Sequence, residues 1–279
     1  MAARSAARGK ARAGTAARSR RGSWTARQRL GRAAIYLLLS LGAVGAGFPF
    51  FWMLLTSVKT RAEAFRNPPT IFPTSLHPGN YAEAWRAAPF GQYFFNTAIV
   101  CLGVVAGVLL TTVLAAYAFA RLEFRGKNVI FALFLATMMI PFEVTLIPNY
   151  IIVNRLGWYN TYLGLIVPFT ANVFSVFLLR QFFASIPQDL YDAAALDGCG
   201  HLRTLWNVAA PLARAPLTAI VLFNFLWSWN SLLWPLIVTG KESLRPIQLG
   251  LSVFVNAEAN DPHLLMAAST FTILPIVVL

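Results

Sequence analysis

The amino-acid sequence predicts an all-α integral membrane protein with six transmembrane helices, on three observations. Of 279 residues, 57% are hydrophobic and only 12% are charged, so a water-soluble globule would expose large apolar patches. Uncharged stretches recur at 33–58, 87–120, 129–142, 156–179, 215–240 and 262–279, near the roughly 20 residues a helix needs to cross a hydrocarbon core. These stretches are continuous runs of Leu, Val, Phe and Ala, unlike the ~10-residue alternating segments of a membrane barrel.

The charge is localised. The chain has 23 Lys+Arg against 10 Asp+Glu, a net +13, an excess that would raise nucleic acid if such binders were not about a quarter charged. Residues 1–32 hold ten of the basic residues (Arg4, Arg8, Lys10, Arg12, Arg18, Arg20, Arg21, Arg27, Arg29 and Arg32) and no acid. They form a basic tail, residues 33–279 form a near-neutral membrane domain, and no nucleic-acid partner is expected.

The spans follow in order. Span one, 33–58, has 26 uncharged residues, which at about 1.5 Å each make roughly 39 Å of helix, enough to cross with tilt. A cleavable signal peptide over Ala33–Leu41 and Gly42–Gly47, or an Arg-rich transit peptide, competes with this; continuation of the apolar run to Val58 favours an uncleaved anchor. Ten positive charges before it put the N-terminus in the cytoplasm. Spans two and three, 93–120 and 129–153, flank the loop Arg121–Asn128, whose Arg121, Arg125 and Lys127 then also fall inside. Spans four and five, 159–179 and 217–238, flank a long cytoplasmic loop, 180–216. Span six, 264–279, is short and reaches Leu279 without a polar flank, which leaves open a continuation of the chain. Cys101 and Cys199 fall on opposite sides and cannot bridge. His77, His201 and His263 lie in loops and read as solvated.

The loop 180–216 is patterned as two short helices. Ser185-Ile186-Pro187-Gln188 has the form of a capping box. Helix is expected to about Asp197, with Gly198 as a left-handed terminator, then again from His201 to Ala210, where Pro211 limits it. The small Ala193, Ala194 and Ala195 allow close approach of a partner surface, and Asp192 offers a directed charge.

Asp192-Ala193-Ala194, three residues, Gly198, nine residues and Val208-Ala209-Ala210-Pro211 resemble the cytoplasmic signature of bacterial ABC importer permeases, with Asp192 in place of the usual Glu and Ala210 in place of Leu. The resemblance runs from about residue 30 to 279 and is nearest the carbohydrate type of the maltose and glycerol-3-phosphate importer group. Tyr117–Gly126, Met139–Tyr150, Leu178–Gly198, Trp227–Val238 and Arg245–Leu251 carry it. It implies the type I importer permease fold in a bacterial plasma (inner) membrane, with ATPase coupling through Asp192, Ala193, Ala194, Gly198 and Pro211. The implied partners are a second permease subunit, making a heterodimer, two cytoplasmic ATPase subunits and an extracytoplasmic substrate-binding protein that meets the outer loop 239–263. Membrane lipid surrounds the spans. The chain lacks a phosphate-binding Gly-Lys-Ser/Thr loop. It therefore reads as non-catalytic and binds no cofactor, with ATP and Mg used by the ATPase.

Candidates along the substrate pathway are Glu143, Asn172, Asn224, Trp227, Trp229 and Asn230. Glu143 is the ionisable side chain inside a span, ~21 Å along the helix counted from Val129, and an intramembrane charge is a functional candidate or an interfacial hydrogen-bonding group; Pro141 and Pro148 flank it and can free backbone groups or bend the helix where it faces protein or a cavity. Trp227, Trp229 and Asn230 combine rings and an amide suited to sugar, though Trp also gathers at membrane interfaces. Asn172 and Asn224 read equally as helix–helix contacts. The competing functions are a secondary transporter or channel not coupled to ATP, expected to show inverted repeats or several intramembrane charges, and a membrane enzyme, expected to show paired carboxylates or a nucleophile–base set.

Overall fold

The computed structural model of the chain describes residues 26–255 and 261–279, so most of the basic tail lies outside the described residues. All regular structure among them is helical. Two compact units divide at Trp52. The first consists, among described residues, of α1 (Ala26–Ser57) as far as Trp52. Its residues from Ile35 to Phe51 are exposed and almost all apolar, a surface suited to lipid rather than to water.

The second unit holds α2 (Gly79–Arg86), α3 (Phe90–Arg121), α4 (Lys127–Ala136), α5 (Phe142–Arg155), α6 (Tyr162–Ile166), α7 (Val173–Ser185), α8 (Gln188–Leu196), α9 (His201–Thr204), α10 (Arg214–Trp229), α11 (Leu233–Val238) and α12 (Pro262–Val278). Gly31–Ser57 and Phe90–Arg121 are each long and apolar enough to cross a membrane alone. Three further stretches are bent pairs, and Pro262–Val278 is a shorter apolar helix. These make six apolar stretches.

The bend open at the prolines of the third span is present; the fourth span, read as unbroken, is bent as well, and so is a further helix pair. Lys127–Met139 meets Phe142–Arg155 at 102°, because Pro141 forces the preceding Ile140 into extended backbone. Tyr162–Phe169 meets Val173–Ser185 at 42° around a turn holding Pro168. His201–Leu212 meets Arg214–Trp229 at 82°, where Pro216 has no amide hydrogen to give the Leu212 carbonyl. The stretch 217–238 also divides: α10 stops at Trp229, and α11 restarts at Leu233.

α3 organises this unit by packing along α7 and α10. Its buried Val104, Val108 and Tyr117 share one core with Leu179, Phe183, Ile220 and Trp234. Near its N-terminal end Phe90, Tyr93 and Cys101 join Trp229, Phe254 and Ala267 in a second core. Cys101 and Cys199 are both free.

Gly103 and Gly107 let the break between α6 and α7 lie directly on α3. A Cβ at Gly107 would stand 2.4 Å from Thr170 Cγ2, and one at Gly103 2.7 Å from Ile166 Cδ1. The spacing is that of small-residue packing in membrane helices. Thr111 Oγ1 donates to the Thr170 carbonyl at 2.6 Å, satisfying a backbone group that the break frees.

At the other end, Asn96 ties α3 to the segment after α11. It is fully buried; its Nδ2 donates to the carbonyls of Ser243 and Arg245, both at 2.9 Å. Its Oδ1 accepts from Gln92 Nε2 at 2.9 Å and Tyr162 Oη at 2.7 Å. Between α1 and α2, Glu63 binds the Thr74 amide and the Thr70 and Thr74 hydroxyls, while Lys59 Nζ donates to the Thr70 carbonyl. Burial pushes the Glu63 carboxyl up, but these donors and Lys59 together hold it below the ordinary carboxylate value.

His263 corrects the solvated reading: it is buried at the start of α12, whereas His77 and His201 are exposed. Replacing Gly107 with Ala is expected to overpack the α3–Thr170 contact by about 1–3 kcal/mol, lowering the apparent melting temperature in detergent by roughly 2–10 °C. Gly91→Ala in the same helix, where the nearest atom is 4.0 Å from the added Cβ, is the control expected to leave it unchanged.

Candidate functional site

Two regions gather the residues singled out in the sequence. The first is the helix pair after α7. α8 starts after Pro187 without a side-chain cap, so the capping box is not formed. Ser185 still belongs to α7, and its hydroxyl donates back to the Phe182 carbonyl at 2.7 Å. Gln188 donates to Asp192 Oδ1 at 2.9 Å instead of reaching back.

α8 ends in a Schellman motif. Gly198 has φ +74°, its amide donates to the Ala195 carbonyl at 3.0 Å, and the Cys199 amide donates to the Ala194 carbonyl at 2.9 Å. The left-handed terminator thus falls at the expected residue. After α9 the helix widens into a π turn over Leu205–Ala209 and continues through Ala210–Leu212, so Pro211 sits in the last turn and not after it. Ala194 is buried against the body, whereas Asp192, Ala193, Ala195 and Gly198 are exposed. Around them Leu196 is 90% exposed, Leu202 65% and Trp206 53%, an apolar surface beside an acid.

Arg121, read in the sequence only as a topology charge, fixes this helix pair to α3. Its Nη2 donates to the carbonyls of Phe183 at 2.7 Å and Ile186 at 2.6 Å, and its Nη1 to Gln188 Oε1 at 2.9 Å. Its guanidinium lies 3.6 Å from the centre of the buried Tyr191 ring. Tyr117, one turn back along α3, packs edge-on against Phe183 and His201. The sequence signal for this clamp was an Arg ending a long apolar helix, where a cation also suits the helix dipole.

The second region is a cavity of about 340 Å³ between the α6–α7 break and α10. It brings Asn172, Asn224 and Trp227 together with Phe169, Ser175 and Phe223. Asn172 is the N-cap of α7, its Oδ1 accepting the Ser175 amide at 2.8 Å. Asn224 Nδ2 donates to the Ile220 carbonyl at 2.8 Å and to Ser175 Oγ at 3.1 Å. The Trp227 ring centre is 4.7 Å from that of Phe169. Ser175 and Phe169 were missed in the sequence because nothing in an apolar run marks which face meets a break.

The other three candidates do not join this cavity. Trp229 is buried in the second core, its Nε1 donating to the Thr272 carbonyl at 3.2 Å and its ring stacked on Phe225. Asn230 is the C-cap of α10; its Nδ2 donates to the Leu226 carbonyl at 2.8 Å, and its Oδ1 accepts from Gln248 at 3.3 Å. Glu143 is exposed in the first turn of α5, beyond the 102° bend, so its depth along an unbroken helix does not apply.

An all-helical chain with long apolar helices, a cavity at a helix break and an exposed, glycine-terminated helix pair fits a membrane-transport permease. The model of the family described as binding-protein-dependent transport system inner membrane component matches residues 103–279, and the chain belongs to that family. It is 33% identical to a diacetylchitobiose uptake system permease protein of Streptomyces coelicolor, over 86% of this chain and 81% of that one. It is 29% identical to a sn-glycerol-3-phosphate transport system permease protein of Yersinia enterocolitica, over 86% and 88%. The fold is that of a crystal structure of a bacterial ABC transporter involved in the import of the acidic polysaccharide alginate, with TM-score 0.81, 23% identity and coverage of 91% of this chain and 95% of that one.

Substitution of Arg121 by Lys is expected to loosen α8, because one ammonium cannot reproduce the fork to two carbonyls and the stacking on Tyr191. Hydrogen exchange of the Tyr191–Cys199 amides should rise, with α3 itself unaffected; unchanged exchange would show that the clamp does not hold the helix. Gly198→Ala should cost about 1 kcal/mol from its backbone conformation alone, since nothing lies within 4 Å of the added Cβ.

Proposed function

We propose that the chain is the permease subunit through which an ATP-driven, binding-protein-dependent importer moves a carbohydrate across the plasma membrane. The observation that carries this reading is the spaced pattern from Asp192 to Pro211 folded as helix, left-handed glycine and helix, with Leu196, Leu202 and Trp206 exposed beside Asp192. Such a surface fits a cleft on a partner protein, and the relatives' names supply the carbohydrate class.

In this mechanism the basic tail holds the N-terminus in the cytoplasm, and the α8–α9 pair lies on the same side. Separate ATPase subunits bind ATP and Mg, close on nucleotide, and grip the exposed face of α8 through Asp192, Ala193 and Gly198. Arg121 and Tyr191 pass the movement to α3, and α3 passes it to the break that it supports. A loaded binding protein docks on the opposite side, against the segments after α1 and α11, and a second, different permease completes the pathway. Each partner shifts the equilibrium only as far as it binds one state better than the other.

A tagged chain extracted in mild detergent is expected to copurify with an ATPase and a second permease; recovery of the chain alone would overturn this reading. Gly198→Asp and Asp192→Lys should leave the protein inserted at normal abundance but lower ATP-dependent uptake roughly 5- to 150-fold, the range of a lost coupling energy. Normal uptake in both would contradict the role given to α8.

A further inference from the structure

We infer that the cavity at the α6–α7 break is a recognition site for a neutral, hydroxyl-rich glycoside, and that it disfavours phosphorylated and acidic sugars. This inference rests on the importer reading above and adds the charge class of the cargo. The hydrogen bonds fix both amides. Asn172 Oδ1 is engaged by a backbone donor, the Ser175 amide, so its Nδ2 is the group left to donate. Asn224 Nδ2 is engaged by a backbone acceptor, the Ile220 carbonyl, so its Oδ1 is the remaining group. Neither Asn172 Nδ2 nor Asn224 Oδ1 has a hydrogen bond among the described residues. Ser175 Oγ accepts from Asn224 and keeps its own proton to donate.

Asn224 is 7% exposed and Ser175 1% exposed, and Asn224 Oδ1 is not among the side-chain atoms that are both buried and unpartnered, so it is open to water, whose place a ligand hydroxyl would take. The cavity therefore offers two donors and one acceptor beside the half-exposed Trp227 ring. A sugar hydroxyl both donates and accepts, and the apolar face of a pyranose stacks on an indole. A phosphate dianion brings acceptors only. It would meet the lone pairs of Asn224 and the negative faces of Trp227 and Phe169, and all eight lining residues are uncharged.

The decisive variant is Asn172→Asp. Aspartate caps a helix as well as asparagine, so the bond to the Ser175 amide and the fold are kept, while the free donor becomes an acceptor carrying charge. The importer, with its ATPases, second permease and binding protein, is reconstituted in proteoliposomes and given radiolabelled maltose, trehalose, diacetylchitobiose and sn-glycerol-3-phosphate. At least one neutral disaccharide should be taken up in preference to sn-glycerol-3-phosphate. N172D should raise its KM about tenfold at unchanged melting temperature, and Trp227→Ala should raise it while Trp227→Phe largely restores it. Preference for sn-glycerol-3-phosphate, uptake of no neutral probe, or an unaltered KM in N172D with native stability would overturn the inference. Failure of the importer reading registers separately, as absence of ATPase subunits from the purified complex.

Discussion

The contact on which the rest of the molecule depends is the seating of the α6–α7 break on α3. A chain that interrupts a helix within an apolar layer frees backbone groups that lipid cannot satisfy. Here Gly103 and Gly107 remove the side chains that would hold the break away, and Thr111 bonds the Thr170 carbonyl. The turn at Pro168 is then supported by protein, and Asn172 can begin a new helix at an angle to the old one. The amide that starts α7 and the cavity beside it both exist because two glycines sit four residues apart on α3.

The same helix serves three stations. Its first turns hold Asn96 and the chain after α11, its middle carries the break, and its last residue clamps the pair that carries Asp192 and Gly198. A long helix is a stiff element, and its packing along α7 and α10 commits those helices to move with it or to slide against it. The coupling proposed for this chain would therefore need no chain of small adjustments, only one rigid element gripped at both ends.

Much of this was legible in the sequence, and the rest was not for definite reasons. Apolar length and charge placement were sufficient for an all-helical membrane fold, and spacing alone located the left-handed Gly198. The break at Pro168 was not legible, since it lies in a run as apolar as any unbroken span and a membrane helix tolerates proline whenever neighbours answer the freed carbonyls; a bend beside Pro141 was open in the sequence, but the third span was measured as one straight helix. That error misplaced Glu143, whose depth had been counted along one straight axis. Trp227 and Trp229 look alike in the sequence yet point to different places, because two residues along a helix turn the side chain through about 200°: one ring lines the cavity and the other fills a core. Asn172, Asn224 and Trp227 were each visible as candidates, but their convergence with Ser175 depends on the bend. The clamp of Arg121 was hidden because a basic residue at a membrane boundary already has a sufficient explanation.

Asn96 carries a consequence for how this chain can change over evolutionary time. All four of its hydrogen-bonding capacities are used, two outward to carbonyls and two inward from Gln92 and Tyr162, in a fully buried site. Asp would lose both donors, Ser and Thr would reach too little, and Gln is a methylene too long for a packed site. The two carbonyls that the segment following α11 presents to Asn96 must therefore stay in register.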